Sequence, residues 1–308
     1  MATDRILVTS YVDPDIDGIS CMVAYSELLR AEGNDVIPVI FGEPQQEVEF
    51  VIKRFGIRLP PLGGDNLTYD KIILLDASEP RHMASGLDAD KVIEIIDHRK
   101  SNDAHLFKNA RTQIELVGAA ATLVAERLRE RCVTPSKEAA ILLYSAIVSN
   151  TLNFKASVTT LRDRDMAHWV NQTAKLGPEF PTEFFKAKSD LTGERLRIQI
   201  DRDFAISEKN GKILGISQIE MVGARELVKT RAAEIMVILD ELARRESTGI
   251  TFLTIADVGE GINVLVTPFP DTLSLLEKAL GVRFEDGIAV LNKLLLRKEI
   301  APMVKDLL

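Results

Sequence analysis

The sequence predicts an α/β protein. It has a parallel-sheet N-terminal domain with helices on both faces, then a smaller α+β domain with a mixed or antiparallel sheet. Three observations lead there. Short, near-continuous apolar runs alternate with helical patterns as far as Lys175, the signature of strands buried on both faces. Those runs end in acidic residues or histidine: Asp15 and Asp17, then Asp76, then Asp97 and His98. The pattern then breaks at Gly177-Pro-Glu-Phe-Pro181, and Asn210-Gly211 beyond it is a hairpin signal.

Residues 5–11 read as the first strand. Residues 18–32 read as an amphipathic helix, with Ile19, Met22, Val23, Ser26 and Leu29 at helical spacing and Gly33 ending it. Residues 36–41 form a second short strand, and Val48, Val51, Ile52 and Phe55 mark a second helix. Lys71-Ile-Ile-Leu-Leu-Asp76 and Lys91-Val-Ile-Glu-Ile-Ile-Asp97 share one plan, an apolar centre closed by an aspartate. Helices are expected over 118–131, 137–150 and 159–175. A charged segment follows to Gly193, and the domains are expected at 1–188 and 189–308. In the second, 204–207 and 212–220 form a hairpin, 226–245 a long helix, and 251–257 with 262–266 a strand pair. A short helix, a last strand and a basic tail at Arg297-Lys298 close the chain.

The 308 residues suffice for two cores. A net charge of -8 without a long basic run argues against nucleic-acid binding. No apolar stretch approaches the roughly 18 residues of a membrane span, and no signal-peptide pattern is present, so a cytoplasmic location is expected. Two cysteines, Cys21 and Cys132, exclude a disulfide framework and read as buried reduced thiols.

In a parallel sheet, ligands bind outside the carboxyl ends of the strands. Carboxylates gathered there repel one another unless a cation holds them. Asp15, Asp17, Asp76 and His98 form an oxygen-rich shell with one imidazole, suited to Mn²⁺, with Mg²⁺ or Co²⁺ as substitutes. Asp76 is placed to bridge two ions, which would turn a water into hydroxide for attack on a phosphoryl group. Arg99, and Arg297 with Lys298, are candidates to carry the phosphate charge.

The order Asp13-Pro-Asp-Ile-Asp17, then Leu74-Leu-Asp76, then Ile95-Ile-Asp-His98 resembles the DHH phosphoesterases. Ser149-Asn-Thr-Leu-Asn-Phe-Lys-Ala-Ser-Val-Thr-Thr160 looks like their fourth motif. Gly215-Ile-Ser-Gln-Ile-Glu220 and Arg297-Lys-Glu-Ile-Ala-Pro302 resemble the second domain of one branch, that of the manganese-dependent (family II) inorganic pyrophosphatases and the prune-type and yeast-type exopolyphosphatases. The resemblance implies a hydrolase of pyrophosphate or short polyphosphate, with up to two ions on the first domain and substrate clamped from the second. It implies a homodimer, most easily made by edge-strand pairing in the first domain. It adds Asn150 as a weak ligand and Arg202 as a substrate contact.

This chain departs from the family pattern in its motifs, and at Ala119-Ala-Ala121, where the family usually has hydroxyl residues. Tyr11 stands where a histidine opens the first motif, Arg99 where a second histidine follows His98, and Asn150 where the fourth motif has an aspartate. The Asp-His-Arg form resembles the prune-type proteins. Lower activity than a true pyrophosphatase is the resulting expectation. A pseudoenzyme that binds phosphorylated ligands and a nucleotide phosphodiesterase are the alternatives.

Plainer roles stand beside these. Asp15 or Asp17 could cap a helix, Arg99 could pair with Asp97, and Asn150 could close its helix. His82, His105 and His168 read as surface or packing residues, Asp13 as solvated. Ala119-Ala-Ala121, at the start of a helix, reads as packing.

Overall fold

The computed structural model describes residues 4–64, 67–100 and 102–308. The chain divides into two compact units, Met1–Phe154 with Val158–Phe184, and Lys155–Ser157 with Phe185–Leu308.

The first unit contains β1 (Arg5–Thr9), α1 (Ile16–Ala31), β2 (Asp35–Pro38), α2 (Gln46–Phe55), β3 (Lys71–Leu75), β4 (Val92–Asp97), β5 (Arg111–Ile114), α3 (Ala120–Glu130), α4 (Lys137–Asn150) and α5 (Leu161–Ala174). The strands form one parallel sheet in the order β2-β1-β3-β4-β5. After β2 the chain crosses back past β1 to lay down β3. The order therefore reverses beside β1, and a crevice opens there at the carboxyl edge.

Side-chain alternation assigns the two sheet faces. Leu7, Ile72, Leu74 and Ile95 join a core with Val39, Ala77, Ala104 and Phe107. Glu94 points the opposite way, toward α1 and α3. There Tyr25 donates to it at 2.7 Å and Arg127 at 2.6 Å.

α1 lies against α3 and α4 and is buried on almost every side rather than along one stripe. It starts at Ile16, two residues earlier than its apolar periodicity suggests. Gly18 permits this close seat, because a Cβ there would meet Ser10 Oγ at 2.5 Å. β5, a half-exposed edge strand of Arg-Thr-Gln-Ile, had no counterpart in the sequence reading.

α6 (Phe180–Lys188) falls in the charged segment that runs to Gly193, and α7 (Arg195–Arg202) follows it; the sequence reading assigned neither helix. Pro181 is the second residue of α6, where a missing N–H costs nothing. Phe180 and Phe184 are one turn apart and enter an aromatic cluster with Phe50, Phe55 and Tyr144, at centroid distances of 5.9–6.5 Å. Such pairs add about 0.5–1.5 kcal/mol each beyond area burial.

The second unit continues with β6 (Ala205–Lys209), β7 (Lys212–Met221), α8 (Ala224–Arg245), β8 (Ile250–Asp257), β9 (Ile262–Val266), α9 (Pro270–Leu280), β10 (Ile288–Leu291) and α10 (Arg297–Lys305). Its sheet is mixed, in the order β10-β9-β8-β7-β6. β7 and β8 run parallel because α8 carries the chain across between them, and the other neighbours are antiparallel. Asn210 and Gly211 take φ 52° and 76° in the β6–β7 hairpin, the left-handed pair that a tight turn needs. The expected basic tail is the first turn of α10. Cys21 is buried as expected, but Cys132 is exposed, at a left-handed residue just past α3.

Candidate metal centre

The centre lies where β1, β3 and β4 end. Asp17 sits in the first turn of α1, Asp76 directly follows β3, and His98 directly follows β4. Asp76 takes φ 53°, a conformation that aspartate tolerates better than most residues. One ligand atom from each of Asp17, Asp76 and His98 lies within 4.8 Å of the others. His98 Nε2 is 3.8 Å from Asp17 Oδ2 and 3.6 Å from Asp76 Oδ1. Both carboxylates are buried.

His98 is oriented from behind. Its Nδ1 lies 3.1 Å from the Val117 carbonyl, which can only accept, so Nδ1 carries a proton. In the neutral ring the Nε2 lone pair then faces the carboxylates, the arrangement typical of a metal-binding histidine.

Asp17 is the most heavily supported group. It accepts from the backbone N–H of Ala120 at 2.8 Å and Ala121 at 2.7 Å, the free N–H groups that begin α3. Asn150 Nδ2 donates to it at 2.6 Å, and the Cys21 thiol sits 3.6 Å away. Burial, and then the charge of Asp15, push its carboxyl up to about 7, against the pull of the two amides. Burial raises Asp76 as well. Arg99 opposes the shift, while Asp17, Asp15 and Asp97 add to it. Asp76 Oδ1 is buried without a hydrogen-bond partner. Two crowded buried carboxylates, an orphaned oxygen and an imidazole lone pair fit a hard divalent cation.

The other expected site residues divide by location. Asp15 is in the same loop, outside the Asp17–Asp76–His98 group. Its Oδ1 accepts from the Asp17 and Gly18 amides at 2.9 and 3.0 Å, so it caps α1. Tyr11 Oη accepts from the Asp15 N–H at 3.1 Å, and the Arg99 guanidinium packs over the Tyr11 ring at 5.4 Å. Asn150 is the last residue of α4 and turns its donor toward Asp17.

Arg202, Arg297 and Lys298 belong to the second unit. Arg202 and Lys298 are exposed. Arg297 is half-buried and donates to the Asp203 carboxylate at 2.5 Å.

The sequence reading missed the main-chain donors at Ala120 and Ala121. It also missed Glu47, which is buried and accepts from the Ile16 amide at 3.1 Å and from Ser149 Oγ at 2.8 Å. It treated Asp163 only as part of a helix. Asp163 closes a capping box with Thr160 and also holds Gly118 N at 3.0 Å, fixing the start of α3. A buried acid near a helix start was the available signal.

Residues 5–147 match the N-terminal domain of the DHH family, and residues 182–307 match the DHHA2 domain. The chain belongs to the DHH family. The metal centre lies in the DHH domain, and Arg202, Arg297 and Lys298 lie in the DHHA2 domain.

A probable manganese-dependent inorganic pyrophosphatase of Clostridium acetobutylicum is 28% identical over 96% of this chain and 95% of its own. A manganese-dependent inorganic pyrophosphatase of Methanothrix thermoacetophila is 29% identical over 96% of each. Among solved structures, a putative family II inorganic pyrophosphatase of Methanococcus jannaschii superposes with a TM-score of 0.76. It is 28% identical and covers 98% of both chains. An exopolyphosphatase-related protein from Bacteroides fragilis, 13% identical, shares the fold at a TM-score of 0.51 over 98% of this chain and 91% of its own. In this DHH-family chain, Tyr11, Arg99 and Asn150 mark departures from the family pattern. Tyr11 meets the Asp15 N–H, and Arg99 and Asn150 meet the Asp76 and Asp17 carboxylates.

Proposed function

We propose that this chain is a metal-dependent phosphohydrolase that cleaves a phosphoanhydride, pyrophosphate or a short polyphosphate. The observation that carries the reading is the buried group of Asp17, Asp76 and His98 at the reversal of the parallel sheet. Its full-length similarity to manganese-dependent pyrophosphatases supports the same reading. Two carboxylates and one imidazole suit Mn²⁺ better than Ca²⁺ or a thiolate-seeking metal. Cys21 stays a protonated donor, because burial and the charge of Asp17 push its thiol well up.

When bound, the ion would polarise a phosphoryl oxygen and lower the pKa of a water. The chain's own groups prepare for this. The α3 amides and Asn150 fix Asp17, Val117 fixes the His98 ring, and Arg99 holds positive charge beside Asp76. Exposed Arg202 and Lys298, with Arg297, are the cationic residues of the DHHA2 domain proposed to meet phosphate.

The test is phosphate release from pyrophosphate, tripolyphosphate, long polyphosphate and nucleotides after loading with Mn²⁺, Mg²⁺ or Co²⁺. Turnover of a phosphoanhydride, lost in Asp76→Asn, is expected. Inertness with every ion on every substrate would sink the reading. A phosphorylated-ligand binding module is the second reading. It is favoured by Tyr11 and Asn150, which put a phenol and an amide where the family pattern has a histidine and a carboxylate. Recovery of turnover only in Tyr11→His/Asn150→Asp would support it. The expected homodimer is part of the same proposal, with β2 and β5 as the edges of the first sheet. Sedimentation as a monomer would remove it.

A further inference from the structure

We infer that this centre takes one divalent ion per chain, because the Arg99 guanidinium occupies the place of a second. The inference rests on the metal-centre reading above and concerns how many ions that centre holds. A carboxylate that bridges two ions gives one oxygen to each, with the ions about 3.5–4 Å apart. Asp76 is placed like a bridge, but the Arg99 guanidinium already lies against its carboxylate, hydrogen-bonded to one oxygen only. Oδ1 lies 3.6 Å from His98 Nε2 and 3.4 Å from Arg99 Nη2 but accepts no hydrogen bond. Oδ2 accepts from Arg99 Nη2 at 3.4 Å. Only Oδ1, which accepts no hydrogen bond and lies beside His98, is left for an ion, and Oδ2 is spent on the guanidinium.

Arg99 is fixed in that place. Nη1 donates to the Asp76 carbonyl at 2.6 Å and lies 3.4 Å from Asp97 Oδ2. The guanidinium rests on the face of Tyr11, with its carbon 5.4 Å from the ring centroid. Its anchors come from the ends of β3 and β4, which carry Asp76 and His98, and from the loop that leads from β1 into α1. An arginine cannot lose its charge at ordinary pH. Asp76 therefore keeps a permanent positive neighbour whether or not an ion is present.

Of the other groups on that side, one Asp15 oxygen and the Tyr11 hydroxyl are already engaged. Asp15 Oδ1 holds the Asp17 and Gly18 amides. Tyr11 Oη accepts from the Asp15 N–H, and a neutral phenol is a far weaker ligand than an imidazole. Tyr11 and Arg99 thus act as a pair. The aromatic face seats the guanidinium, and the guanidinium excludes an ion from Asp76 Oδ2. The resident charge is single and fixed, with N–H donors that can also bond a phosphate oxygen.

Mn²⁺ titration of chelator-stripped protein, followed by calorimetry and by electron paramagnetic resonance of the bound ion, tests this without relying on turnover. Wild type is expected to bind about one Mn²⁺ per chain, with the spectrum of an isolated ion, against about two for a bridged site. Tyr11→His/Arg99→Ala is expected to bind about two, with the broadened, weakened signal of a magnetically coupled pair. Arg99→Lys keeps the charge and is expected to stay at about one. Two ions in wild type or in Arg99→Lys, or only one in the double variant, would overturn the inference. Wild type that binds no ion would overturn it together with the metal-centre reading. One ion bound without phosphate release would support it and remove only the hydrolase reading.

Discussion

Asn150 Nδ2 lies 2.6 Å from Asp17 Oδ2, so an amide donor meets this buried carboxylate from the end of α4. The contact helps keep Asp17 anionic and spends the donor face of Asn150 inward. Asn150→Asp would place a second carboxylate against the first. Without metal, the variant is expected to lose about 1–3 kcal/mol of stability, the cost of a broken buried hydrogen bond. Excess Mn²⁺ should restore more stability to the variant than to wild type, because an added carboxylate favours the cation. Thermal unfolding of both proteins with and without Mn²⁺ reads this directly. An unchanged response to metal would show that Asn150 does not face the ion.

Within the Asp17–Asp76–His98 group, His98 is the neutral ligand candidate, and its Nδ1 contact with Val117 aims it. His98→Ala is expected to weaken Mn²⁺ binding by at least about 100-fold, beyond what loss of a supporting contact costs. The gain in unfolding temperature from excess Mn²⁺ should fall accordingly, since that gain tracks the ratio of free ion to Kd. Arg81, exposed on the neighbouring turn, supplies the control: Arg81→Ala should leave the metal response unchanged.

The strand ends of this centre were legible because apolar runs such as Ile72-Ile-Leu-Leu75 and Val92-Ile-Glu-Ile-Ile96 announce buried strands. An acid or histidine after such a run must lie at the carboxyl edge. The division of labour between Asp15 and Asp17 was not legible. It depends on where α1 begins. A start at Ile16 makes Asp15 the cap and turns Asp17 inward, and a shift of two residues would exchange those roles. The free N–H groups that start α3 were read as packing because three alanines offer no polar side chain there, yet Ala120 and Ala121 donate to Asp17. β5 and α7 were missed for a different reason. Arg111-Thr-Gln-Ile is a half-exposed edge without an apolar run, and the α7 segment buries only Leu196 and Ile200 among charged residues.

Behind the sheet, Glu94 is only 6% exposed at its side chain and gathers Tyr25, Arg111 and Arg127. Burial raises its carboxyl, but hydrogen bonds from Arg127, Tyr25 and Arg111 and the charge of Arg127 bring it below the ordinary value. Arg127→Met leaves that charge poorly paired and is expected to cost about 3–5 kcal/mol in urea unfolding. Glu94→Gln/Arg127→Met should cost less than the two single changes added together. A depressed carboxyl stabilises the fold above its unfolded pKa. The contribution should therefore fade as pH falls below about 4 and be missing from Glu94→Gln.

In the DHHA2 domain, Asp203 offers the opposite sign. Burial pushes its carboxyl up to about 6, although Arg297 and the Gln218 amide pull it down. An unfolded aspartate titrates near about 3.9. Between those values the folded chain holds more protons than the unfolded one, so this group makes stability fall as pH rises from about 4 to 6. Asp203→Asn should remove that slope. The unfolding temperature of wild type minus that of the variant should drop across the window and level off above it. Arg297→Met removes the counter-charge, so Asp203 should titrate higher still and the falling limb should extend above about pH 6. If the two variants track wild type across that range, Asp203 is not held protonated by its surroundings.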